Sequence, residues 1–269
     1  MRLPDFMIKN HRRHVLSDTD LITKNSSPAL SEALKAARTN LMYALADIDG
    51  GKCVFMTSAL AAEGKTTTCI NLAVSLAQTE SRVLLIDSDL RRPRIHTYLN
   101  IKNKEGLANY LGGFCELEAI VNHLSDLNLD CITAGNLPPN PTELLSSKKM
   151  KSFIEFVKGK YDYILFDTPP VNIVADSLAL AQLVENVIFV CKCGISLTTE
   201  IQKALSALKF ANAKVLGFIT IETNRKKKKS NMVAFPDSRL YQENVDLRRK
   251  RQEEEERSEE HTSELQSLE

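Results

Sequence analysis

Short, nearly uninterrupted apolar runs recur along this chain at Cys53–Met56, Val83–Ile86, Tyr163–Phe166, Val187–Cys191 and Val215–Ile219, with a weaker one at Leu129–Thr133. A strand that faces water on one side alternates apolar and polar residues. A run that is apolar throughout fits a parallel strand covered on both faces. Between the runs lie stretches rich in helix formers, notably Thr66–Gln78, Ser147–Lys158, Asp176–Val184 and Thr198–Ala211. This alternation predicts an α/β fold: an open, mostly parallel sheet flanked by helices and joined by right-handed crossovers. Ligands on such sheets bind beyond the carboxyl ends of the strands, so the residues that follow each run are where chemistry is expected.

The first run is followed by Ala59-Leu60-Ala61-Ala62-Glu63-Gly64-Lys65-Thr66, which matches G-x-x-x-x-G-K-[ST] except for Ala59 in place of the opening glycine. Here successive backbone N–H groups curl around phosphate oxygens at a helix N-terminus, where the helix dipole favours anions. Ala61, Ala62, Glu63, Gly64, Lys65, Thr66 and Thr67 are the candidate nucleotide-binding residues. Lys65 reaches the β- and γ-phosphates, and the Thr66 hydroxyl is a ligand for Mg²⁺. Aspartates end two later runs: Asp87 and Asp89 in VLLIDSDLRRP, and Asp167 in YILFDTPP. A lone aspartate at a strand end usually caps a turn. Three near a phosphate loop suit phosphoryl transfer, which needs carboxylates around a metal and a group to orient or deprotonate the attacking hydroxyl. Asp167 fits the metal-facing role. Arg91 and Arg92 can meet phosphate or pair with acidic groups of the sheet.

Outside this core the chain changes character. Residues 1–28 read as an N-terminal arm, 29–224 as the nucleotide-binding domain and 225–256 as a mobile charged tail containing Arg225–Lys229. The first helix, from SEALKAARTNLMYALADI, is expected to use Ser31 as its N-cap and Leu30, Leu34, Leu41 and Leu45 as its buried stripe. Residues 257–269 are set apart, because Arg257–Ser267 resembles the conceptual translation of a sequencing-adapter oligonucleotide. With them, Lys+Arg 35 against Asp+Glu 34 gives a net charge of +1; without their one arginine and four glutamates, 34 against 30 gives +4. Neither balance suits a bulk nucleic-acid binder, and no nucleic-acid partner is expected. No apolar run reaches the roughly 18 residues of a membrane span, and the N-terminus carries no signal-peptide pattern. The six cysteines are expected to be reduced, with Cys191 and Cys193 as buried strand thiols.

Taken together, the Ala59–Thr66 loop, the Asp-x-Asp-x-Arg string ending at Arg91, the Asp-x-Pro-Pro string ending at Pro170 and the segment GNLPPNPTELLSS (Gly135–Ser147) resemble the bacterial tyrosine kinases. These are the capsular and exopolysaccharide-associated kinases, built on a P-loop ATPase fold. The resemblance implies a protein-tyrosine kinase that autophosphorylates with Mg-ATP and regulates polysaccharide biosynthesis and export. By resemblance the catalytic residues are Lys65, Asp87, Asp89 and Asp167, with Asp87 the base. Thr66, Asp89 and Asp167 are the metal set, the carboxylates acting largely through water. The implied partners are a membrane-spanning polysaccharide co-polymerase-type activator, further copies of the chain in a ring, and a cognate tyrosine phosphatase. The implied location is cytoplasmic, peripheral at the inner face of the membrane. Glu32, Lys35 and Arg38 resemble the family's E-x-x-R-x-x-R oligomer-contact motif, with Lys35 replacing an arginine; an intrahelical Glu–Lys pair is the plainer reading.

The family's tail carries a tyrosine cluster, whereas Tyr241 is the one tyrosine after Tyr163 and so the possible phosphoacceptor. A base-recognition asparagine expected after the last strand is replaced by Ile221. The rival reading is a related P-loop ATPase switch of the partitioning or site-positioning kind, without kinase activity. Such switches carry a lysine five residues before the phosphate-binding lysine, where this chain has Leu60.

Overall fold

The computed structural model describes residues 28–221, all within the first of the two units into which the chain divides, Met1–Val233. Tyr241, the arm before residue 28, the tail and the adapter-like segment therefore lie outside the described residues. The elements begin with α1 (Pro28–Ala44), β1 (Lys52–Thr57), α2 (Lys65–Ala77), β2 (Val83–Asp87), α3 (Ile95–Tyr98) and α4 (Leu107–Leu111). They continue with β3 (Val121–Leu124), β4 (Leu129–Ile132), α5 (Pro141–Leu145), α6 (Lys148–Lys158) and β5 (Tyr163–Asp167). The last are α7 (Asp176–Ala181), β6 (Asn186–Lys192), α8 (Thr198–Phe210) and β7 (Lys214–Ile221).

The strands form one 7-stranded sheet in the order β3-β4-β2-β5-β1-β6-β7. Every pairing is parallel except β3 with β4. Successive strand residues point to opposite faces. Thus Phe55, Phe166 and Phe189 join Phe153 of α6 in one core layer, while Met56, Leu85 and Leu165 meet Leu72 and Leu76 of α2 in the other. That double burial is why the strands read as continuous apolar runs. On the second face, Leu34, Ala37 and Leu41 of α1 and Leu45 just past its end are buried, whereas Leu30 of the expected stripe is only half-buried; the Arg38 guanidinium donates to the Ser75 carbonyl of α2 at 2.8 Å.

Some expectations are corrected. α1 begins at Pro28, so Ser31 lies inside its first turn and is not the N-cap; proline suits a first helical position because its missing N–H has no partner there anyway. β3 carries Asn122 and His123 and pairs antiparallel at the sheet edge, so it lacks the apolar signal of a strand covered on both faces. Neither thiol of the pair is fully buried: Cys191 in β6 is half-buried, and Cys193 is exposed beyond the end of that strand. All six cysteines are free. No described helix is long and apolar enough to cross a membrane.

The segment leading towards Gly135–Ser147 is held by a close backbone approach at Gly106. A Cβ there would lie 2.2 Å from the Thr133 carbonyl oxygen and 2.4 Å from the Gly135 nitrogen. Leu107 N and Ala108 N donate to the Thr133 and Ala134 carbonyls at 2.8 and 2.9 Å. Glycine lets α4 dock on the end of β4 and so positions the stretch that runs on through α5.

Candidate active site

The sheet order sets β1 between β5 and β6, with β2 on the far side of β5. The carboxyl ends of β1, β2 and β5 therefore open on one place. In register, Asp87 stands beside Asp167 and Met56 beside Asp167. The Thr168 hydroxyl donates to Met56 O at 2.8 Å, the Thr57 hydroxyl donates to Pro169 O at 2.9 Å, and Ser88 N donates to Asp167 O at 2.8 Å. These bonds lock the three strand ends together.

From β1 the chain passes through Ala59–Gly64 into α2. Gly64 is the N-cap, with φ 85° and ψ 17°. That is left-handed backbone, which glycine adopts at little cost, and a Cβ there would also lie 2.4 Å from Cδ1 of Ile221. Ala62 takes a positive φ of 63° as well. The loop is held from within and from outside. Glu63 Oε2 accepts Leu60 N at 2.8 Å, and Glu63 Oε1 accepts the Ser196 hydroxyl. Ser196 Oγ in turn accepts Lys192 N at 2.8 Å, and Lys192 Nζ reaches Ala62 O at 3.5 Å. Of the loop residues expected to face phosphate, Glu63 spends its side chain on keeping the loop curled.

Lys65 and Thr66 open α2 beside the carboxylates. Lys65 is buried, which lowers its pKa; Asp167, Asp89 and Glu63 lie close enough to pull it back up, and Arg94 close enough to oppose them. The Thr66 side chain is hydrogen-bonded to Asp167. Asp87 is fully buried, its Oδ2 accepting Arg94 N at 3.1 Å and Ile95 N at 3.0 Å, its Oδ1 accepting Asp89 N at 3.2 Å. Burial and the neighbouring Asp167 hold its carboxyl well above the usual range against those backbone bonds. Asp89 is half-buried, and its Oδ1 accepts Arg91 N and Arg92 N at 3.3 and 2.9 Å. The structure thus brings Lys65, Thr66, Asp87, Asp89 and Asp167 together.

Asp167 is pushed up to about 7, first by burial, against the Thr66 hydrogen bond and the Lys65 charge. Between its ordinary 3.8 and about 7 the folded chain holds a proton that the unfolded chain has released. Its contribution to stability is therefore lost as pH rises through that window and is level above it. Asp87 adds a slope of the same sign. In magnesium-free buffer, Asp167→Asn is expected to flatten the fall in melting temperature between pH 4 and 7, the window set by those two values. An unchanged slope would show that Asp167 does not carry that proton.

The carboxylates fit a magnesium ion that arrives with phosphate. Among the described residues no three His, Cys, Asp or Glu side chains form a metal cage, and Mg²⁺ ordinarily takes only one or two carboxylates plus phosphate oxygens and water. Asp167 Oδ1 is buried without a hydrogen-bond partner, which leaves it an acceptor for such a ligand or its water.

Arg91 is occupied elsewhere. Its Nε and Nη2 donate to Asp176 at 2.7 and 3.0 Å, and the Thr142 hydroxyl also donates to Asp176, at 2.5 Å. The fork ties the β2 loop to α7 and α5. Arg92 and Arg94 remain exposed at the rim. On α1, Lys35 pairs with Glu32 at 2.7 Å, and Arg38 is anchored on α2, so within one chain the expected oligomer-contact residues have partners of their own. Sequence reasoning missed Lys192, Ser196, Thr142 and Asp176: the Ser196–Glu63 bond spans 133 residues, and no local pattern signals it.

Comparison with known proteins gives the same picture. Residues 51–221 match the family described as AAA domain. The chain is 39% identical over 208 residues to tyrosine-protein kinase YwqD of Bacillus subtilis, covering 77% of this chain and 85% of that protein. It is 32% identical over 214 residues to tyrosine-protein kinase etk of Escherichia coli K12, covering 79% of this chain but only 29% of that longer protein. The solved kinase domain of Escherichia coli tyrosine kinase ETK superposes with a TM-score of 0.73 at 29% identity, over 84% of this chain and 89% of that one. With the phosphate loop and its carboxylates at the matching strand ends, the chain belongs to the bacterial tyrosine-protein kinases, an α/β P-loop family of the AAA type.

Proposed function

We propose that this chain transfers the γ-phosphoryl group of Mg-ATP to tyrosine hydroxyls, its own included. The observation that carries this reading is the bond between Thr66 at the start of α2 and Asp167 at the end of β5, beside buried Lys65. Phosphoryl transfer asks little covalent chemistry of a protein; positioning and charge stabilisation supply most of the catalysis. The Ala61–Thr67 amides and the α2 dipole hold the phosphates, and Lys65 neutralises charge that builds on the leaving oxygens. Thr66, Asp89 and Asp167 would hold the magnesium ion, the carboxylates largely through its water, and the ion would offset charge on the phosphates. Asp87 takes the proton of the acceptor hydroxyl, for which its buried carboxyl must be ionised, a form that the amides of Asp89, Arg94 and Ile95 favour. Because Asp87 is fully buried and held by the amides of Asp89, Arg94 and Ile95, this role requires that segment to yield as the acceptor enters.

The rival switch reading loses its defining cation: Leu60 is partly buried against the core, and its N–H is given to Glu63. By family likeness we assign the chain to regulation of capsule or exopolysaccharide assembly. Its partners would be a membrane-spanning activator that docks it at the inner membrane face, a ring of further copies, and a tyrosine phosphatase. The Glu32–Lys35 pair is exposed, and such pairs are worth only about 0.3–0.5 kcal/mol. It can therefore be exchanged for contacts with a neighbouring copy.

Incubated with Mg-ATP, the chain is expected to acquire phosphotyrosine, detected by a phosphotyrosine-specific antibody, and chelation with EDTA should return the signal to background. Release of free phosphate with no phosphotyrosine would instead identify an ATPase switch.

A further inference from the structure

The described tyrosines differ in what surrounds them. Tyr163 is buried in the core. The Tyr161 hydroxyl donates to Asp130 at 2.8 Å. The Tyr110 ring packs 5.7 Å from Phe153 and beneath the Lys149 ammonium at 4.5 Å. Tyr98 is partly buried against the α2 layer. Tyr43, in the last turn of α1, is 78% exposed, and helix gives way to a turn within two residues of it. Leu41 and Leu45 on either side are fully buried, so the Tyr43 side chain stands out into solvent from a helix end that the core anchors, and a docking partner can bring its site to it.

We propose that Tyr43 is a phosphoacceptor of this kinase, modified in trans by a second copy of the chain; the proposal rests on the kinase reading above. The chain's own site is out of reach. Arg38 is bonded to Ser75, which lies ten residues along α2 from Lys65, or about 15 Å at 1.5 Å per residue. Five residues beyond Arg38, Tyr43 leads into the turn that enters β1 at its amino end, while the phosphate loop leaves β1 at its carboxyl end. Acceptor and phosphate site are thus at opposite ends of one sheet, a layout that serves a neighbour and not the same chain.

Charge favours the same encounter. The segment Tyr43–Asp49 carries Asp47 and Asp49 and no basic residue, whereas exposed Arg94 acts on Lys65 at the site's rim, with exposed Arg92 two residues before it in the chain. In the transfer, a bond forms between the Tyr43 phenolic oxygen and the γ-phosphorus, and the bridging β–γ phosphorus–oxygen bond breaks. The phenolic proton passes to the Asp87 carboxylate and on to water. The products are phosphotyrosine and ADP.

The test mixes two full-length chains of distinguishable mass. The donor carries Tyr43→Phe and Tyr241→Phe with an intact site; the acceptor carries Lys65→Met and both tyrosines. A glutamate–tyrosine copolymer serves as an independent substrate. After incubation with Mg-ATP, peptide mass spectrometry is expected to find phosphate on Tyr43 of the acceptor chain. Labelled copolymer with unmodified Tyr43 overturns this proposal and leaves the kinase reading standing. Phosphate on Tyr43 of the wild-type chain but never on the Lys65→Met chain, whose circular dichroism confirms its fold, overturns transfer in trans. No phosphotyrosine on any substrate overturns the kinase reading and this proposal with it.

Discussion

Replacing Lys65 with methionine is expected to lower ATP-dependent tyrosine phosphorylation at least about 100-fold, the scale on which removal of one preorganised charge-stabilising group is felt. Methionine keeps an unbranched apolar stem of similar length in the same buried place, so the packing around α2 survives. What disappears is the ammonium beside the phosphates. The buried lysine already bears a desolvation cost, reflected in its lowered pKa, so the variant's melting temperature should be unchanged or higher. The loss should therefore appear in phosphotyrosine signal and nucleotide affinity, with an unaltered far-ultraviolet circular dichroism spectrum. Equal phosphotyrosine in the two proteins would remove Lys65 from the catalytic machinery.

Arg91→Ala is expected to have the largest effect on stability, about 3 kcal/mol, the lower end of the range for removing one partner of a buried ion pair. The carboxylate left behind, Asp176, has a fully buried side chain, whereas Arg91 is 42% exposed. Water can reach the arginine but not the aspartate, which places the effect at the low end. After truncation, the Thr142 hydroxyl is the side-chain donor that still meets Asp176 among the described residues. Arg91→Lys should recover part of the loss, since it restores charge without the two-pronged fork. Urea unfolding of the single variants and of Arg91→Ala/Asp176→Asn measures the coupling. A midpoint shift worth less than about 1 kcal/mol in Arg91→Ala, the level of an ordinary surface pair, would show that the fork does not compensate the buried charge.

The sequence discloses those parts of the fold that are enforced by local pattern. Strands covered on both faces must be apolar throughout, so β1, β2, β5, β6 and β7 stand out, and the loop before α2 announces itself through residue spacing. β3 does not, because an antiparallel edge strand with Asn122 and His123 exposes its polar residues to water and looks like a loop. The carboxylates Asp87, Asp89 and Asp167 were legible as strand-end residues, but their three different environments were not. Only the fold shows that Asp87 is sealed under backbone amides, that Asp89 stays half-open and that Asp167 keeps one oxygen without a partner. The sequence offers Arg91 two kinds of partner, phosphate or an acidic side chain, and the choice of Asp176 depends on where α7 comes to rest. Contacts such as Ser196 with Glu63 arise from sheet order alone, which no run of neighbouring residues encodes.

That last contact bears on the enzyme's timing. The phosphate loop is curled by bonds to Glu63, Ser196 and Lys192, all made between groups of the protein itself. Preorganisation of this kind removes ordering cost on entry, and it does so for ADP as well as for ATP. A site that does not relax after transfer gives its product no reason to leave, and product release sets the pace of many enzymes. Whatever pulls on the short link between β6 and α8 would loosen the loop through Ser196.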